Sequence, residues 1–320
     1  MKKTRVGKTS VEVTDLAFGT SGLGSMPDTY GYSVDEERAY ATVHAIFDGA
    51  ANVLDTSRNY GAGRSEERVG HVIRERGGIP DGFVISTKID RDMSDNRLDA
   101  ARVRKSFEES LKTLGVERIQ ILHLHDPEYC RSLDEITEKG GALDELFKLK
   151  EEGLVDAVGL AMGNLDIMFP MLKSRPFDCL ISHNRFTLIN RAAQEMFDYA
   201  AAEGMTVLNA APFSGGVLAK GSQDVKKIAY TDVDDEALAP VRKIEAICAE
   251  AGVPMGAAAL QFSMRDPRVG STIIGVTKPE RVAQTQAWAE QSIPADAWDK
   301  LLALPFTVDD PEANRDYKPG

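Results

Sequence analysis

The sequence is short of cysteine and histidine: among 320 residues there are three cysteines, Cys130, Cys179 and Cys248, and five histidines. No two cysteines form a CxxC pair and their number is odd, which argues against a disulfide framework and points to reduced thiols in a cytoplasmic setting. No apolar run reaches the length that crosses a bilayer, and the opening "MKKTRVGKTSVEV" has no apolar signal core. Positive charge is also scarce. Lys and Arg total 38 against 50 Asp and Glu, a formal net charge of −12 that would repel nucleic acid and anionic membranes. These absences leave a soluble intracellular protein, a monomer or small homo-oligomer, whose partner is a small molecule.

A repeating pattern fills the chain. Short β-branched runs at 16–18, 52–57, 83–88, 119–125, 155–161, 178–183, 205–211 and 271–276 alternate with amphipathic stretches. The runs are apolar nearly throughout, as parallel strands covered on both faces are. Leu98, Val103, Phe107, Leu111 and Leu114 recur at helical spacing until Gly115 stops the helix. Further helices are expected over 35–48, 65–76, 138–152, 190–203, 239–251 and 279–290, and a long mobile loop over 218–238. Eight strand–helix units without a linker predict an α/β fold: one (β/α)8 TIM barrel over 1–320, with "KTRVGKTSVEV" as an N-terminal hairpin cap. A doubly wound sheet is the alternative, disfavoured because no GxGxxG follows the first strand.

In such a barrel, active residues stand at the C-terminal ends of strands. Asp55 is late in the second strand with Tyr60 just beyond it, Lys88 ends the third and His125 ends the fourth. Each alone has an ordinary explanation as a cap, a packed ring or a solvated charge. Together, on three consecutive strand ends, they form a proton-handling set. A lysine ammonium beside a phenol favours the phenolate, and a carboxylate beyond it fixes the ammonium. An imidazole there can donate to a substrate oxygen that gains charge. A hydride carrier must supply the rest.

The stretch "LDTSRNYGAGRSEERVG", followed by "VISTK" and "ILHLHDP", resembles the aldo-keto reductase family over nearly the whole chain. The resemblance implies a catalytic tetrad of Asp55, Tyr60, Lys88 and His125, with Tyr60 as acid–base, and NAD or NADP bound without a Rossmann domain. It also implies cofactor contacts at Gly19, Thr20, Asp55, His183, Phe213, Gly215, Gly275, Thr277, Lys278, Arg281 and Gln284. His183 stands where a carboxamide-binding glutamine is usual, and Arg281 where the adenine or a 2′-phosphate is often faced. "HDP", "NAAPF" and "GVTKPERV" are most similar to the aldose and fucose 1-dehydrogenases and pyridoxal 4-dehydrogenase, which oxidise a cyclic hemiacetal to a lactone.

Three rival readings remain at this level. An ordinary NADPH-dependent aldehyde or ketone reductase would use the same residues. A metal-dependent barrel hydrolase would use His123, His125 and His183, but leaves Tyr60 idle; no metal is expected. A non-catalytic channel-associated subunit would share the fold and even the tetrad. Substrate choice is assigned to loops 22–33, 128–137 and 213–235 and to the tail "PFTVDDPEANRDYKPG".

Overall fold

The computed structural model describes residues 1–313, so the end of the tail, 314–320, lies outside the described residues. Strands β1 (Lys3–Arg5) and β2 (Glu12–Thr14) form an antiparallel hairpin. The barrel strands are β3 (Leu16–Gly19), β4 (Val53–Asp55), β5 (Val84–Ile89), β6 (Ile119–His125), β7 (Val155–Ala161), β8 (Cys179–His183) and β9 (Thr206–Ala210). A small hairpin of β10 (Lys227–Ile228) and β11 (Thr231–Asp232) precedes the last barrel strand, β12 (Val269–Gly275). The eight long strands close in the order β12-β3-β4-β5-β6-β7-β8-β9, every pairing parallel. The (β/α)8 barrel expected from the pattern is therefore the observed fold.

Two cores hold it together. Inside the barrel, Ala17, Val53, Val84, Ile121, Ala157, Cys179, Leu208 and Ile273 pack with Val6, Val11 and Val13 of the hairpin. The hairpin thus plugs the end opposite the strand C-termini. Outside, the alternate strand residues pack against the inward stripes of the helices, among them Val103, Phe107 and Leu114 of helix Ala100–Leu114, with Leu98 just before it. Asp99 caps that helix, its side chain accepting from the Arg102 amide, and Gly115 ends it at φ 73°.

The structure departs from the sequence pattern in places with a physical reason. Helix Leu165–Ser174 was hidden by Pro170 within it, and Met255–Met264 by being apolar on nearly all sides. Helix Ala295–Leu302 was also missed. The helix expected over 190–203 is Gln194–Ala202, the preceding residues being spent on turns. The stretch 218–238 is not one irregular loop: it carries the end of helix Val217–Lys220 and the β10–β11 hairpin.

Backbone strain gathers on one face. Among the described residues, the non-glycine positions with positive φ are Ser25, Ala62, Asn96, Asp126, Asn184, Ala211, Ser214 and Ala229. All follow the C-terminal ends of barrel strands. Such conformations cost energy and persist where the surroundings enforce them, often at working sites.

Helix Arg64–Glu75 anchors the loops on that face: Arg64 Nε and Nη2 donate to the carbonyls of Gly24 (2.8 Å) and Ser25 (3.0 Å). Its Glu66 is fully buried and accepts from the Thr87 hydroxyl at 2.6 Å. Burial, opposed in part by that hydrogen bond, pushes the carboxyl up to about 7. The folded chain therefore keeps a proton that the unfolded chain releases above its ordinary value. This contribution to stability is complete at acid pH and is lost as pH rises to about 7. The slope is at most about 1.4 kcal/mol per pH unit. Glu66→Gln should flatten the fall in urea midpoint between pH 5 and 8; an unchanged profile would show that Glu66 ionises without cost.

Candidate active site

The site begins with a buried ion pair. Asp55 closes β4, and in register it lies beside Ser86 of β5, two residues before Lys88 on the same face. Lys88 Nζ donates to Asp55 Oδ2 at 2.7 Å and to the Thr56 carbonyl at 2.6 Å, while the Ser86 hydroxyl donates to Asp55 Oδ1 at 2.9 Å. Both charged side chains are almost fully buried, so each needs the other.

Tyr60 is set over this pair by a tight turn. Gly61 and Ala62 both have left-handed backbones, with φ 61° and 55°. A Cβ on Gly61 would strike the backbone of Gly24, and one on Gly24 would come within 2.9 Å of the Tyr60 carbonyl. The two loops therefore touch backbone to backbone, which only glycine permits. Lys88 Nζ lies 4.9 Å from the centre of the Tyr60 ring, and the His125 ring meets it edge to face at 5.8 Å. Burial, then the neighbouring Asp55, Tyr30, Asp126 and Asp90, push the Tyr60 phenol well above its usual range. Burial and these neighbours outweigh the Lys88 ammonium that was expected to favour the phenolate.

The imidazole has a partner that sequence reasoning missed. His125 Nδ1 lies 2.5 Å from Asp90 Oδ1, and Asp90 Oδ2 accepts from the Ser57 hydroxyl at 2.6 Å and the Asn59 amide at 2.8 Å. The signal was present: Asp90 is two residues beyond Lys88. Burial raises the Asp90 carboxyl and would lower the His125 imidazole. For His125 the charges of Asp126 and Asp90 outweigh burial, and for Asp90 the imidazole with the Ser57 and Asn59 hydrogen bonds does, so Asp90 ends below its usual value and His125 above. Asp126, left-handed at φ 43°, sits on the other side with Oδ2 3.6 Å from His125 Nε2.

The residues expected at a cofactor fall into two groups. Gly19 and Gly275 end adjacent strands, and open space surrounds the Cα of Gly275. Helix Pro279–Glu290 starts beyond them with Lys278 at its N-cap, whose side chain makes no capping bond; Pro279 has no N–H to offer and the Arg281 amide donates to the Lys278 carbonyl at 3.1 Å. Lys278 and Arg281 are exposed there, and Arg281 Nη1 donates to Gln284 Oε1. Thr277 is half-buried. A helix start that carries two exposed cations fits a dinucleotide's phosphates. Elsewhere the side chains are already engaged. Thr20 is buried, its hydroxyl bonded to Ser65 and the Asp55 carbonyl. Phe213 packs edge-on against Trp288 at 6.0 Å, and Gly215, at φ 74°, lies against the Ala229 carbonyl.

His183 meets the chain's own tail: its Nε2 is 3.0 Å from Glu312 Oε1, which also accepts from Asn184 Nδ2 at 3.0 Å and Arg185 Nη1 at 3.1 Å. Burial alone would raise the Glu312 carboxyl, but His183 and Arg185 hold it well below the usual range. No sequence signal joined residues so far apart. His123 lies one layer under the rim, paired in register with Lys88, and burial keeps it neutral. Among the described residues no three His, Cys, Asp or Glu side chains cluster to hold a metal ion. No described helix is long and apolar enough to cross a membrane.

A parallel barrel with a phenol, an ammonium and an imidazole on one rim, and a phosphate-ready helix start on the same rim, defines an oxidoreductase that works with a nicotinamide dinucleotide. The chain matches the Aldo/keto reductase family over residues 15–304 and belongs to it. It is an NAD(P)-dependent oxidoreductase. It is 30% identical to a pyridoxal 4-dehydrogenase of Microbacterium luteolum, over 94% of this chain and 96% of that protein. It is 28% identical to a D-threo-aldose 1-dehydrogenase of Pseudomonas sp, over 89% and 92% of the two chains. The fold is also that of an aldo-keto reductase of Bacillus halodurans, solved in its holo form, with TM-score 0.77 and 19% identity over 99% of this chain and 100% of that one.

The glycine contact gives a direct check on this geometry. Gly61→Ala should push the Tyr60 turn off the Gly24 loop and cut kcat at least about tenfold, with dinucleotide affinity much less affected. Turnover at the level of the parent would mean that the turn does not set the position of Tyr60.

Proposed function

We propose that the chain oxidises a cyclic hemiacetal, a sugar at its anomeric carbon or pyridoxal, to the lactone, with Tyr60 exchanging the proton. The observation that carries this reading is the Tyr60 ring seated on the Lys88 ammonium and against His125. The two dehydrogenases similar to this chain act on pyridoxal and D-threo-aldoses, as their names state, and support the substrate class. A hemiacetal already carries the hydroxyl from which a proton must be taken.

Each residue then has one task. Asp55 keeps Lys88 charged and in place. Lys88 offers its charge to the ring face of Tyr60 when the phenol gives up its proton. Tyr60 takes the proton of the anomeric hydroxyl, and His125 orients the oxygens of the ring. The acidic wall of Asp90 and Asp126 suits a neutral polyhydroxylated molecule and repels anions. Thr277, Lys278, Arg281 and Gln284 would hold the adenosine end of NAD or NADP, and Gly19 and Gly275 would let it lie close. When bound, the nicotinamide supplies hydride acceptance and return.

The high phenol range of Tyr60 favours a second reading, an NADPH-dependent aldehyde or ketone reductase, because a protonated phenol is ready to donate. The sign of the pH dependence separates the directions. Oxidation needs the phenolate and should speed up as pH rises through the alkaline range, whereas reduction should be flat and then fall.

Three measurements test the reading. Tyr60→Phe should lower kcat by roughly 10²–10⁴-fold while cofactor still quenches protein fluorescence; turnover near that of the parent would sink the assignment. Oxidation of L-fucose, D-arabinose, L-galactose or pyridoxal should exceed reduction of open-chain aldehydes in kcat/KM at mildly alkaline pH, and the reverse ranking would favour the reductase. Arg281→Ala should weaken NADP more than NAD, since guanidinium grips a 2′-phosphate bidentately. Equal loss for both would leave Arg281 a packing residue.

A further inference from the structure

We propose that Asp90 is a positioning residue for His125: by taking the Nδ1 proton into its hydrogen bond it leaves Nε2 as the one ring atom for the substrate oxygen. This inference rests on the proposed function, since it gives His125 a substrate to meet. Its basis is geometric. Asp90 stands at the end of β5, one alternation beyond Lys88, and faces the same rim. Its two oxygens accept from three donors on two segments: His125 at the end of β6 at 2.5 Å, and, from the loop after β4, the Ser57 hydroxyl at 2.6 Å and the Asn59 amide at 2.8 Å. The Arg102 Nε donates to the Asp90 carbonyl at 2.9 Å and the Asp90 amide donates to the Ser106 hydroxyl at 3.1 Å, so the backbone is fixed too. A carboxylate so placed only accepts. The imidazole nitrogen facing it therefore carries the hydrogen.

This has a consequence for the reaction. Neutral His125 presents a bare lone pair at Nε2 and can only accept there; charged His125 presents Nε2–H and can only donate. A carbonyl substrate needs a donor, and a hemiacetal hydroxyl can use an acceptor. Donation from His125 to a substrate oxygen at Nε2 therefore requires the imidazolium. The groups facing the ring are Asp90 just after β5, Asp126 after β6, Lys88 on β5, the Tyr60 ring, and the Ser57 hydroxyl at 3.3 Å from Nδ1. Two carboxylates against one ammonium favour the charged ring. The Asp90–His125 dyad therefore biases the site towards the donor form at low pH and the acceptor form at high pH, in step with Tyr60.

The full-length protein labelled with ¹⁵N at histidine tests this by long-range ¹H–¹⁵N spectra across pH, with His125 assigned by its absence in His125→Gln. The neutral form of His125 should be the Nδ1–H tautomer, with a titration midpoint above that of an ordinary histidine. In Asp90→Asn the midpoint should fall by at least about one pH unit and the Nδ1–H tautomer should be lost. The limb of the kcat profile that follows His125 should move with it, while the dissociation constant for the dinucleotide stays the same. An Nε2–H tautomer in the parent protein overturns the proposal without any variant, so a failure of Asp90→Asn to fold leaves the test intact. An unchanged tautomer and midpoint in a folded Asp90→Asn overturns it equally. The spectra need no substrate, so they are independent of turnover by Tyr60→Phe, on which the proposed function stands or falls.

Discussion

The buried pair of Asp55 and Lys88 is the constraint around which the site is arranged. Removing two charges from water is costly, and the cost is met only by close pairing and full hydrogen bonding. Here the Ser86 hydroxyl and the Thr56 carbonyl complete the set. Because β4 and β5 are neighbours in parallel register, the carboxylate and the ammonium reach each other with no loop between them. Their positions are therefore as rigid as the barrel. The turn that presents Tyr60 is placed relative to that fixed point.

Above the pair, the rim is a region of conflict resolved by packing. Burial with the carboxylates of Asp55, Asp126 and Asp90 raises the Tyr60 phenol, and Asp126 and Asp90 raise the His125 imidazole against its burial. Backbones after the strands adopt left-handed conformations at Ala62, Asp126, Asn184 and Ala211. Glu312 returns from the end of the described chain to bind His183, Asn184 and Arg185. The left-handed backbones and the buried carboxylates cost stability locally, and the large apolar core outside the barrel offsets it, whereas the Glu312 contacts are themselves favourable. The pattern is that of a scaffold which concentrates strain and charge where a substrate and a dinucleotide would meet.

Much of this was legible in the sequence, and for physical reasons. Strands buried on both faces announce themselves as apolar runs, so all eight barrel strands could be located, and strand ends then picked out Asp55, Lys88 and His125. Asp90 was passed over because the strand was taken to stop at Lys88, whereas β5 runs on to Ile89 and carries the next inward residue to the rim. The bonds from Glu312 to His183 and Arg185 span more than a hundred residues and leave no periodic trace. The Tyr60 environment was read with the wrong sign because burial of the phenol and the carboxylates of Asp126 and Asp90 around it leave no mark in the sequence, and they outweigh the Lys88 ammonium. Helix Met255–Met264 escaped notice because a helix buried on most sides has no amphipathic signal.

The dependence on the Asp55–Lys88 pair is open to one decisive measurement, a double-variant cycle on Asp55→Asn and Lys88→Met read by urea unfolding and by kcat together. Each single change leaves a buried charge without its partner and should cost about 3–5 kcal/mol. The double variant buries no unpaired charge, so it should be markedly more stable than the sum of the two losses predicts, yet remain as inactive as Lys88→Met. Additive losses in stability, or turnover restored together with stability, would contradict a site built on this pair.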